Sequence, residues 1–141
     1  MSEVDALQRT LAAEHAAVFV LGALGGRAST LTDPALRTAL SAAYDVHLER
    51  RNHLRTMIAA RGEEPIAAEP AYRLPAALST REQIADEALR LQRACVVTYG
   101  ALVAATAGTT RGWAVGAMTQ TALTEADFGG RPQALPGLHG A

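Results

Sequence analysis

Residues 62–78 carry Pro65, Pro70 and Pro75 at intervals of five. Each proline removes a backbone donor and biases its predecessor toward extended backbone, so this stretch predicts an extended path and interrupts helix on both sides. The flanks have helical patterning, which makes this 17-residue link the feature that decides how the helices are arranged. On the N-terminal side a first helix spans about 3–25, with Ser2 as cap and Asp5 three residues on. Its seam is Val4, Leu7, Leu11, Glu14, Val18, Leu21 and Gly25, and Gly25-Gly26 is the stop signal. A second helix spans about 34–61, with Asp33-Pro34 at its start and Gly62 after its end. Its seam reads Leu36, Leu40, Ala43 or Tyr44, His47, Arg50 or Arg51, Leu54, and Met57 or Ile58.

Beyond the link, Ser79-Thr80-Arg81-Glu82 is a capping box opening a third helix over about 79–107. One of its seams is Ile84, Ala88, Leu91, Cys95, Thr98, Leu102 and Ala105. A second apolar line, Leu89, Val96, Tyr99 and Val103, is a candidate subunit interface, or else a line covered inside the bundle. Thr109 or Thr110 caps a fourth helix over about 110–128, ending at Gly129-Gly130, and 129–141 form a tail or arm. Short loops join the first pair and the second pair, which makes each pair an antiparallel hairpin. The second helix is roughly 42 Å long at 1.5 Å per residue. An extended 17-residue link reaches up to about 56 Å, enough to run the length of a bundle. The expected architecture is an all-α single domain, 1–141: a ferritin-like four-helix bundle, two hairpins joined by one long crossover.

Composition agrees with that. The chain has 31 alanines and only 6 aromatics, which disfavours an all-β fold. All 13 basic residues are arginine and the net charge is −1, so general polyanion binding is not indicated. Cys95 stands alone, excluding an intrachain disulfide or a thiolate metal cluster; on a core seam it reads as an inert small hydrophobe. Met1–Arg9 carries Glu3 and Asp5 where a secretory signal wants basic residues. The longest uncharged stretch, Ala94–Thr110, contains threonines and glycines and is short for a membrane span. A cytoplasmic protein without a membrane segment is therefore expected.

Polar residues on apolar seams mark where chemistry could sit. Glu14 and His47 fall midway along the first two helices, hence at one height in a hairpin. With Tyr44, Arg50 and Arg51 they form an expected buried polar cluster. Di-iron bundles need a Glu-x-x-His pair on each of two helices. Here the residue three before His47 is Tyr44, before His53 Arg50, and before His15 Ala12. Glu14, His47 and Glu87 are the available ligands for a lesser iron or manganese site, as in a divergent metal-dependent oxidoreductase or metal-binding protein, and a neighbouring arginine opposes it. Arg50, Arg51 and Arg55 could bind an anion or nucleic acid, but no aromatic residues interleave them for base stacking. No catalytic constellation is evident, and Trp113 reads as a packing anchor.

Several segments resemble a ferritin-like domain family of unknown function from high-GC bacteria. They are Leu7-Gln8-x-x-Leu11-Ala12-Ala13-Glu14-His15-Ala16-Ala17-Val18 and Ala43-Tyr44-x-x-His47-x-x-Arg50-Arg51-x-x-Leu54. Pro70-Ala71-Tyr72-x-Leu74-Pro75, Tyr99-x-x-Leu102-Val103-Ala104-Ala105 and Leu135-Pro136-Gly137-Leu138 add to them. The resemblance implies a ferritin-like bundle, a homodimer, and no established activity. Both Glu-x-x-His pairs of the iron-binding relatives are missing. The expectation is a bundle without a di-iron centre and without a cofactor, acting through protein contacts or as a structural homodimer.

Overall fold

The structure, a computed structural model, describes residues 1–134. The Leu135-Pro136-Gly137-Leu138 motif and the end of the expected tail lie outside the described residues. Four α-helices follow in order: α1 (Glu3–Ala28), α2 (Pro34–Ala59), α3 (Arg81–Ala105) and α4 (Gly108–Thr124). A 3-10 turn, Glu125–Phe128, completes α4, and no strand occurs among the described residues. No described helix is long and apolar enough to cross a membrane.

The helix ends show which local signals govern. Ser2 and Asp5 form the expected reciprocal box at the start of α1. The Gly25-Gly26 pair does not stop this helix. Both glycines lie within it, neither has positive φ, and α1 continues until Leu24 and Ala28 are buried. Ser29 and Thr30 then close it by bonding back to Gly26 and Arg27 carbonyls. Asp33 caps α2 through the Leu36 amide at 3.0 Å. The box opening α3 is Thr80 with Gln83, one residue later than Ser79 with Glu82, because the Gln83 amide reaches the backbone of both Ser79 and Thr80. Neither Thr109 nor Thr110 caps α4: it follows extended Ala107 with no side-chain cap, at Gly108 with φ 57°. Gly129, at φ 87°, ends the 3-10 turn in the left-handed region that glycine tolerates.

Packing is dominated by α1 on α2, α3 on α4, and α1 on α3. Arg61, just beyond α2, donates from Nη2 to Glu3 Oε1 (3.1 Å) and Thr110 Oγ1 (3.0 Å), tying that end of α2 to the starts of α1 and α4. An Arg81–Asp33 ion pair joins the start of α3 to the start of α2. The segment between them runs back along α1. Gln8 donates to Glu64 O (2.7 Å) and accepts from the Ile66 amide (2.8 Å), while His15 Nε2 donates to Ile66 O (2.9 Å). Phe19 and Tyr72 meet at 5.4 Å between ring centroids.

Two apolar clusters make up the core. One contains Leu21, Leu24, Leu36, Leu40, Ile84 and Ala88, with Leu78 from the link and Phe128 from the 3-10 turn. The other contains Leu7, Leu11, Leu54, Ile58, Tyr99 and Leu102. Each buried leucine or isoleucine contributes roughly 1.5–3 kcal/mol relative to exposure. Between the clusters, where alternating apolar seams would continue, the chain places polar residues instead.

Candidate functional site

Three helices converge on that level. Glu14 of α1 and His47 of α2 are both buried, at 0% and 1% exposure. Their heights match because α1 and α2 are the same length and the Glu3–Arg61 contact holds them end to end. His47 Nδ1 donates to Glu14 Oε2 at 2.6 Å. The Tyr99 hydroxyl of α3 donates to the other carboxylate oxygen, Oε1, at 2.7 Å. With Nδ1–H given to Glu14, the lone pair of His47 Nε2 accepts from the Gln92 amide nitrogen at 3.1 Å. Burial, and then the Glu14 charge, hold the Tyr99 phenol well above its ordinary value, and burial does the same to the Cys95 thiol. Both therefore stay protonated and unreactive at neutral pH.

Arg50 extends the network to α4. It is 6% exposed, and its guanidinium donates to Thr121 Oγ1 (2.6 Å), Ala117 O (3.1 Å) and Gln120 Oε1 (2.9 Å). Its carbon lies 5.3 Å from the Tyr99 ring centre, so Tyr99 carries Glu14 at its hydroxyl and Arg50 at its face. Of the two arginines at this level only Arg50 enters. Arg51 turns outward and bonds the neighbouring Asn52, and Arg55 is exposed. That separates the three-arginine anion patch expected from sequence, since its first member turns into the bundle, away from Arg51 and Arg55. Tyr44 is half-buried against the apolar core and makes no hydrogen bond to the network, so it drops out of the expected cluster.

Glu87 does not join Glu14 and His47 either. It lies more than a turn before Gln92 and forks onto Arg90, Oε2 accepting from Nε at 2.9 Å. Among the described residues no group of three or more histidine, cysteine, aspartate or glutamate side chains could hold a metal ion. The donor set also fails chemically: both Glu14 oxygens and both His47 nitrogens already have protein partners, and a guanidinium stands beside them. The residues present do not fit an iron or manganese site built on Glu14, His47 and Glu87.

The second apolar line on α3 divides. Val96 and Tyr99 are 0% and 1% exposed and are covered within the chain, so they are unavailable as an interface. Leu89 and Val103 are half-buried against the two apolar clusters. Thr98, expected inward, is only half-buried; Tyr99 takes the inward position. Tyr99, Gln92, Gln120 and Thr121 are the network members that the sequence reading does not place there. The signal for Gln92 was its place four residues after Ala88 and three before Cys95, on the inward face.

On the outer side of Arg50 lies a groove between α2 and α4 of about 690 Å³. Arg50 forms part of its lining with His53, Trp113, Gly116 and Gln120. The Trp113 ring meets His53 at 4.8 Å and Tyr99 at 5.8 Å. A narrower pocket of about 160 Å³ continues past Arg50 to His47, Gln92 and Asp127.

The chain is similar to the crystal structure of a conserved hypothetical protein, rv2844, from Mycobacterium tuberculosis. The two share 28% sequence identity and superpose with a TM-score of 0.80 over 89% of this chain and 93% of that one. Among curated proteins none matches. Residues 6–140 match the family described as "Domain of unknown function (DUF4439)", and the chain belongs to that family.

Proposed function

We propose that this chain is a ferritin-like four-helix bundle, two antiparallel hairpins joined by a long crossover, whose metal level has become a closed hydrogen-bonded layer. It acts in the cytoplasm through protein contacts, as a homodimer, and not through a di-iron centre. One observation carries this reading: each carboxylate oxygen of Glu14 and the free nitrogen of His47 already accept from a protein donor, namely His47, Tyr99 and Gln92. Satisfied in this way, a buried polar layer fixes the register of helices against one another. The hairpin arrangement is supported by the Arg61–Glu3 and Arg81–Asp33 contacts, which place the ends of the link at opposite ends of α2. A surface role is supported by Val97, Val115 and Leu123, which α3 and α4 leave 43%, 46% and 72% exposed.

Metal analysis after loading with ferrous iron or manganese and removing the excess tests the central claim. The expected result is no stoichiometric metal; a bound equivalent lost in Glu14→Ala would overturn it. Light scattering after size-exclusion chromatography is expected to give twice the chain mass, and a monomer at micromolar concentration would remove the dimer.

A further inference from the structure

The groove between α2 and α4 has a buried cation, Arg50, in its lining, and the smaller pocket beside it shares that cation. Arg50 is the only buried arginine among the described residues, and no carboxylate lies within ion-pair distance of it. Its three acceptors are a hydroxyl, a carbonyl and an amide, all neutral. Its Nε–H donates to no protein atom, yet is not sealed from solvent. A desolvated guanidinium with an unspent donor is a strong site for an oxyanion, because each hydrogen bond to it is charge-assisted. The rest of the lining narrows the class. Glu49 at the rim opposes a second negative charge, which disfavours a phosphate dianion and leaves a monoanion. His53 and Trp113, whose rings pack on one another at 4.8 Å, add aromatic surface to the same lining. A volume of about 690 Å³ lies within the span of small-molecule sites.

We infer that the α2–α4 groove binds a small planar monocarboxylate, its carboxylate on the outer edge of Arg50 and its ring against Trp113 and His53. The smaller pocket of about 160 Å³ shares Arg50 and Gln120 with the groove and reaches the His47 layer. Binding in the groove adds a counter-ion between α2 and α4, which meet through Arg50 and the His53–Trp113 ring contact.

Trp113 is the chain's one tryptophan, so its fluorescence reads the groove directly. Benzoate is the probe and benzamide its neutral counterpart. Benzoate is expected to give a saturable change in Trp113 emission at millimolar concentration, and benzamide a response at least roughly tenfold weaker. Arg50→Gln should abolish the difference between the two probes. Should that variant fail to fold, Gly116→Leu answers the same question. A Cβ at Gly116 meets nothing within 4 Å, so the added side chain enters the groove without displacing the core. It should weaken benzoate about tenfold or more with the melting temperature retained. No saturation with benzoate, equal binding of benzamide, or unchanged binding in folded Gly116→Leu would each overturn the inference.

Discussion

Glu14 and Arg50 are both charged, both buried, and both touch Tyr99, but the seams they occupy are built differently. Around Glu14, α1, α2 and α3 close on one another, and each polar atom of the carboxylate and the imidazole meets a partner. Around Arg50, α2 and α4 stand apart, the acceptors are neutral, and a groove opens beside the guanidinium. Helix spacing makes the difference. Where three helices converge, water has no room and every group must be matched internally; where two diverge, a long side chain can strut the gap and leave donors facing outward. Layer and strut should therefore respond differently to substitution.

The largest effect is expected at the closed layer. Glu14→Ala strips the acceptor from His47 and Tyr99 together and should cost about 3–5 kcal/mol in urea unfolding. A loss below 1 kcal/mol, on the order of a surface change, would break the contrast. Arg50→Ala is next, at about 3 kcal/mol, since it leaves Thr121, Gln120 and the Ala117 carbonyl without their donor. Arg51→Ala, one residue along, should stay within about 0.5 kcal/mol, and equal losses at the two would mean that the register of α2 is wrong.

Tyr99→Phe should cost about 2 kcal/mol, because Glu14 Oε1 loses its donor while the ring and its contact with Arg50 persist. It also changes the pH response. Burial raises the Tyr99 phenol and the Cys95 thiol above their ordinary 10.0 and 9.0. Below pH 9 both groups are protonated folded and unfolded, so their contribution is fully present. Above it the unfolded chain ionises first, and stability falls as pH rises through the folded values. Unfolding midpoints should thus decline above pH 9 in the native chain and flatten in the Tyr99→Phe, Cys95→Ala double variant. Within the network the smallest change is expected on the open seam: Thr121→Val should cost about 1 kcal/mol, as Arg50 keeps its other acceptors.

Much of this was written in the sequence, for physical reasons that also explain the gaps. Midpoints of two joined helices must meet, so Glu14 opposite His47 followed from helix lengths alone. Periodicity has a resolution of about one residue on a seam of alternating threes and fours. That is why Arg50 and Arg51 were indistinguishable, why Thr98 displaced Tyr99, and why the capping box was placed at Ser79. Gly25-Gly26 misled because a stop signal yields when the next residues have a core to enter, as Ala28 does. Glu87 looked like a ligand because burial of a carboxylate is informative; its partner, Arg90, was one turn away on the same helix. The groove is not legible in the sequence, since it depends on the separation of α2 from α4, which neither helix's own pattern records.

Apart from Leu74 and Leu78 near its end, which pack into the core, the link is held to α1 by one glutamine side chain, one histidine and one ring contact, over residues that are mostly exposed. The two halves it connects, by contrast, share both apolar clusters, with α1 packed on α3. Opening the strap therefore costs far less than parting the halves. A single cut by a protease near Glu64 would leave two fragments that stay together, and the same fragments made separately would have all the information needed to find each other. What the link supplies is proximity during synthesis, the effective concentration of one half for the other, and not the adhesion between them.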